Sequence, residues 1–190
     1  RAHQSTVISS ALEGRLAELG VPRESILRVP NGSDTARIGP GERSAARAAL
    51  GLPGDAPLVV HVGVLTRPDA ALAVDAFEVA RRRHPDARLV LVGPRAPVAD
   101  RDGVRQTGFV PFDALLAWLA AADLCVIPME DTVGNRGRWP GKVNDYLAAG
   151  RATLMTEVGD APGYLEEWGA GWSAPATCRW PTWWCSGRWR

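Results

Sequence analysis

Three nearly all-apolar runs constrain this chain more than any other feature. They are Leu58-Val59-Val60-His61-Val62-Gly63, Arg88-Leu89-Val90-Leu91-Val92-Gly93 and Leu124-Cys125-Val126-Ile127-Pro128. Each has the length of one strand, shows no apolar/polar alternation, and ends on a glycine or proline. A strand without alternation is covered on both faces, which is the condition of a parallel sheet between helices. Helical periods separate the runs: residues 69–83 put Leu72, Ala76, Phe77 and Ala80 on one side, and residues 111–121 carry Leu115, Leu116 and Leu119. Strand, helix and strand in alternation predict a doubly wound, Rossmann-like α/β fold with right-handed crossovers.

Weaker signals fill the rest. Residues 6–9 read as a strand and 11–19 as a helix stopped by Gly20; residues 26–29 read as a strand stopped by the turn Pro30-Asn31-Gly32. A short alanine-rich helix is expected over 44–50, a strand over 104–107, a helix over 141–149 and a last strand over 152–155. We expect residues 1–172 to form one domain.

The segment 173–190 is expected to be irregular. It holds Trp180, Trp183, Trp184, Trp189, Cys178, Cys185 and three arginines, with no acid and no period. A Trp/Arg segment can serve a membrane interface or stack on nucleic acid. Its composition is also that of GC-rich DNA read in a shifted frame, and on that reading it packs poorly.

A chain of 190 residues with net charge +1 has room for one sizeable core and no general attraction to nucleic acid or to a membrane surface. No run approaches the roughly 18 apolar residues of a spanning helix, and the N-terminus has no signal-peptide pattern. Cys125, Cys178 and Cys185 have neither metal-ligand spacing nor a disulfide framework, so a reducing cytoplasm is the default expectation.

In a doubly wound sheet, ligands bind beyond the carboxyl ends of the strands. Gly63, Gly93 and Pro128-Met129-Glu130 lie at those ends, and the third run leads directly into Arg136-Gly137-Arg138-Trp139-Pro140-Gly141-Lys142-Val143-Asn144-Asp145. Lys142 is the only lysine among 22 basic residues. A cation and free N–H groups at a helix start suit a phosphate, and a carboxylate one turn on suits a pair of sugar hydroxyls. Arg136 and Arg138 add positive charge. The plain alternative is a solvated Lys142–Asp145 surface pair. Arg67, in the loop after Gly63, is a second phosphate candidate. The G-x-G-x-x-G spacing is missing, which argues against NAD or FAD. His61 reads as a hydrogen-bonded core histidine. There is no catalytic triad, nucleophile elbow or Walker loop.

Taken in order, Val7-Ile8-Ser9-Ser10, Ile26 through Asp34, Val62-Gly63-Val64-Leu65, Leu89 through Gly93, and Ala122 through Gly150 resemble the C-terminal, donor-binding domain of family-4-type retaining glycosyltransferases, which have the two-domain GT-B fold. The resemblance implies a nucleotide-diphosphate sugar as substrate and no metal or other cofactor. It implies Arg67, Arg138 and Lys142 as diphosphate ligands, Asp145 as the ribose acid, backbone of Gly63, Gly93 and Val110 lining the donor pocket, and Glu130 or Asp131 near the sugar. The family's glutamate that touches the transferred sugar falls on Gly137, and its loop arginine falls on Val64. The family also has an N-terminal domain that binds the acceptor and supplies a catalytic histidine. Nothing here corresponds to that domain, so no catalytic residue is assigned and this chain alone is not expected to transfer sugar. Two other readings remain: a nucleotide-binding module without catalysis, from a truncated gene, and a fragment of a sugar-nucleotide epimerase of the same fold.

Overall fold

The computed structural model describes residues 3–176. Its centre is a six-stranded, all-parallel sheet in the order β5-β4-β3-β6-β7-β8. The three apolar runs form β3 (Leu58–Val62), β4 (Arg88–Val92) and β6 (Leu124–Ile127); β5 (Val104–Gly108), β7 (Thr153–Thr156) and β8 (Gly171–Ala174) complete it. The doubly wound α/β class expected from the sequence is the class observed.

Helix α3 (Arg67–Arg81) shows why these residues fold as they do. Thr66 caps it, accepting a hydrogen bond from the Asp69 N–H, and Pro68 sits in the first turn, where its missing donor costs nothing. Ala70, Val74, Phe77 and Ala80 recur at helical spacing and are buried in one cluster with Val59, Leu89 and Leu91. Burial of Phe77 alone is worth about 2–3 kcal/mol. The opposite face of the sheet is covered by α4 (Phe112–Ala121), α6 (Lys142–Ala148) and α7 (Ala161–Glu167), through Trp118, Leu119, Val143, Tyr146, Ala161 and Leu165. Helix α2 (Arg43–Ala49) packs on the same side. Its Arg47 is 2% exposed and bonds to Asp123 (2.6 Å) and to the carbonyls of Ala121 and Ala56. The same Asp123 oxygen accepts from the Leu58 N–H at 2.7 Å, which fixes the strand ends opposite the ligand edge.

A second, two-stranded parallel sheet pairs β1 (Ser5–Val7) with β2 (Ile26–Arg28), with α1 (Ser10–Glu18) between them. Among the described residues, α5 (Val133–Arg136), α7, β8 and a single 3-10 turn at Arg23–Ser25 had no counterpart in the sequence reading. The expected boundary at 173 is corrected accordingly. Ser173 and Ala174 belong to β8, paired with Met155 and Thr156, and Ala174 is 1% exposed. Pairing with β7 carries a strand that has no apolar period of its own. The rest of the expected irregular tail, from 177, lies outside the described residues. Among the described residues, no helix is long and apolar enough to cross a membrane.

Candidate functional site at the switch point of the sheet

From β3 the chain winds one way through β4 and β5, then returns to place β6, β7 and β8 on the other side. The crevice beyond β3 and β6 is therefore the point where strand order reverses, the usual ligand position in such sheets. Here the two strands stop pairing early. Their register runs through Val59↔Leu124 and Val60↔Cys125 and goes no further. Beyond it, the Val62 N–H donates to Tyr146 Oη at 2.8 Å, and the Val126 carbonyl is engaged by His61 Nδ1 at 2.9 Å. Side chains thus satisfy the backbone groups that the parted ladder leaves, as buried polar groups require.

Lys142, the first residue of α6, reaches into this crevice. Its Nζ lies 3.2 Å from His61 Nε2, and a Cβ placed on Gly63 would sit 3.3 Å from the same Nζ. Gly63 has φ +105° and Gly93 has φ +137°, conformations that favour glycine. A Cβ on Gly93 would stand 3.0 Å from the Gly63 carbonyl oxygen. The backbones of β3 and β4 therefore approach closely beside the lysine, and Gly93 N–H continues the line to the Gly108 carbonyl at 3.1 Å.

Electrostatics at the crevice follow from burial. His61 is 1% exposed, and desolvation, followed by the charge on Lys142, pushes its pKa down to about 3. It is neutral at any ordinary pH. The Lys142 pKa falls to about 8, first through burial and then through Arg138, while Asp69 opposes the fall. Asp69, on α3, is 6% exposed, and its Oδ1 accepts from the Glu130 N–H at 2.8 Å, tying the loop after β6 to the start of α3. The Tyr146 hydroxyl is fully buried, and its pKa is raised chiefly by desolvation.

The other expected residues sit around this centre. Asp145, one turn along α6 from Lys142, accepts from Ser33 Oγ at 2.7 Å. Arg67 opens α3, is exposed, and has no ion pair or side-chain hydrogen bond among the described residues. Arg138 is exposed and contacts Asn135 at 3.1 Å. Asp131 forms a two-pronged pair with Arg136 (2.6 and 2.9 Å), which lowers its pKa. The Glu130 side chain is exposed, and Val110 is half-buried just after β5. Gly137 is buried; its carbonyl accepts from Ser9 Oγ at 2.8 Å, and an added Cβ would meet Leu12 at 3.3 Å.

Sequence reasoning placed Lys142, Asp145, Gly63 and Gly93 at this edge. It read His61 correctly as a hydrogen-bonded core residue and missed that its partners include Lys142. It also missed Asp69, Tyr146 and Ser33. Asp69 carried a signal, an acid in the first turn behind a Thr cap. Ser33 and Tyr146 carried none, because their partners are 112 and 84 residues away.

Residues 56–178, well over half of the chain, match the family described as glycosyl transferases group 1. A D-inositol 3-phosphate glycosyltransferase of Nocardia farcinica is 40% identical over 92 residues, which is 46% of this chain and 20% of that protein. Its counterpart in Thermobispora bispora is 32% identical over 127 residues, 56% of this chain and 30% of that protein. Among solved structures, WaaG, a glycosyltransferase involved in lipopolysaccharide biosynthesis, superposes with a TM-score of 0.76 at 17% identity, covering 95% of this chain and 51% of that one. Anabaena HepE in complex with UDP-glucose gives 0.71 at 18% identity, covering 93% of this chain and 50% of that one. The chain thus spans about half the length of these structures and less of the curated relatives. With a parallel sheet that superposes on half of a GT-B protein and a family match over most of its described length, the chain belongs to the group 1 glycosyl transferases.

Proposed function

We propose that the crevice beyond β3 and β6 holds the donor, a nucleotide-diphosphate sugar, and that the longer protein transfers the sugar with retention at the anomeric carbon. The observation that carries this reading is Lys142: the chain's single lysine, held at the switch point beside close-packed glycine backbone, with the Asp145 carboxylate one turn away. The seven-residue α6 is short, so the ammonium rather than the helix supplies most of the attraction for an anion. Arg67, exposed and unpaired among the described residues, and Arg138 extend the positive charge toward solvent. A leaving diphosphate is stabilised by charges already in place, without a metal. Asp145 offers a carboxylate to the ribose hydroxyls once Ser33 gives way or the second oxygen is used. The UDP-glucose complex of HepE, on the same fold, supports this choice of ligand class.

A second reading, a nucleotide-binding module without catalysis, is favoured by Gly137. The residue in the place of the sugar-touching acid has no side chain, and Leu12 fills the space beside it. Calorimetric titration of the folded protein with UDP, GDP and ADP tests both. Binding of one diphosphate, weakened at least tenfold by Lys142→Ala, supports the site. Binding of none of the three overturns both readings.

A further inference from the structure

His61 lies beneath Lys142, fully buried at the end of β3, on the α3 side of the sheet with Val59. Its two ring nitrogens have different partners. Nδ1 is 2.9 Å from the Val126 carbonyl oxygen, which can only accept, so Nδ1 must carry the proton. In the neutral ring Nε2 is then the lone-pair nitrogen, and it faces the Lys142 ammonium at 3.2 Å, with the Val64 backbone also close to the ring. Loss of the β3–β6 ladder frees the Val126 carbonyl, the carbonyl fixes the tautomer, and the tautomer creates an acceptor where the cation rests.

We propose that His61 is the positioning residue of this site: a neutral imidazole, locked by Val126, whose Nε2 holds the charged Lys142 ammonium over Gly63 so that it meets a ligand's phosphate in place. The proposal rests on the donor-site reading for its ligand, and on geometry alone for the His61–Lys142 link. The charged and titratable groups facing Lys142 are His61 from β3, Asp69 from α3 and Arg138 from the loop before α6. Asp69 favours the charged form, Arg138 opposes it, and the hydrogen bond to His61 adds to the side of Asp69. An apolar ring at 61 removes that acceptor, so the lysine should lose its proton at lower pH.

The chain's single lysine makes the test direct. Protein labelled with 13Cε-lysine gives one side-chain signal, that of Lys142, whose pH titration can be followed by NMR in wild type, His61→Phe and His61→Gln. The wild-type midpoint is expected near 8. In His61→Phe it should fall by about one unit or more; in His61→Gln, where an amide oxygen replaces the Nε2 acceptor, it should return toward the wild-type value. An unchanged midpoint in His61→Phe overturns the proposal. Should His61→Phe not fold, the 15N spectrum of the wild-type imidazole decides, because a proton on Nε2 instead of Nδ1 overturns it equally. Adding inorganic pyrophosphate separates the two claims. A lysine signal that answers to His61 but not to pyrophosphate leaves the positioning link standing and removes the donor site. A signal that answers to pyrophosphate but not to position 61 does the reverse.

Discussion

Replacing Lys142 by methionine should make this protein no less stable, and up to about 2 kcal/mol more stable, at neutral pH while removing the cation proposed to meet a phosphate. The lysine is kept charged in a place that disfavours charge. Its pKa stands at about 8 in the fold against 10.5 for a free lysine, with burial as the main cause and Arg138 second. At about 1.4 kcal/mol for each pH unit, that gap means the folded state carries a penalty of about 3 kcal/mol wherever the lysine is protonated in both states. Methionine keeps the unbranched stem, ends one atom short of the ammonium and carries no charge, so the penalty vanishes. His61 Nε2 then loses its partner, which costs about 1–3 kcal/mol, leaving a net gain of about 0–2 kcal/mol at pH 7. The pH dependence is sharper, because the His61 cost is the same at every pH. Below pH 8 the wild type bears the whole penalty, and between pH 8 and 10.5 the penalty disappears as the folded lysine gives up its proton before the unfolded one does. Urea denaturation of both proteins at pH 7 and pH 10 should show the advantage of Lys142→Met shrinking by about 2–3 kcal/mol over that range. Parallel stability–pH curves for the two proteins would refute the reasoning, since they would mean that the ammonium is not desolvated at all.

Tyr146→Phe should cost about 1–3 kcal/mol, because it leaves the buried Val62 N–H without an acceptor; urea midpoints measure it, and a loss below about 0.5 kcal/mol would show the amide finding water instead. Gly93→Ala should cost about 1–3 kcal/mol in backbone strain, added to a contact of 3.0 Å with the Gly63 oxygen. It should also weaken diphosphate binding more than Gly54→Ala, where an added Cβ meets nothing within 4 Å; equal effects at the two positions would refute the close-approach argument.

The sheet was legible because its signal is local. Three unalternating apolar runs can satisfy their backbones and bury both faces only between helices, and β3, β4 and β6 fall where those runs fall. Elements whose signal is not local escaped. Helix α5 has four residues, too few for a period, and β8, Gly-Trp-Ser-Ala, is a strand only because Thr153–Thr156 templates it. Helix α7 was readable in principle from Asp160, Pro162 and a closing Gly169. At the site, Lys142 and Asp145 stood out through residue type and strand-end position. Their partners did not: His61 and Ser33 meet them across 81 and 112 residues of chain, and no spacing rule reports such contacts. His61 in particular looks like any core residue, because what distinguishes it is a carbonyl on the neighbouring strand.

The small β1–α1–β2 unit and the segment that follows it are tied to the loop before α6, to α6 itself and to the residue ahead of α7. Ser9 holds the Gly137 carbonyl, Ser10 holds Asp160 ahead of α7, Asn144 holds the Asn31 carbonyl, and Ser33 holds Asp145. These bonds act as a mechanical coupling: a displacement of the small unit would pull on the loop before α6, on α6 itself and on the start of α7 together. A ligand that takes the Asp145 oxygen from Ser33 releases one of the couplings. By thermodynamic reciprocity, a ligand bound through Asp145 and the seating of the small unit would each shift the equilibrium of the other by the same free energy.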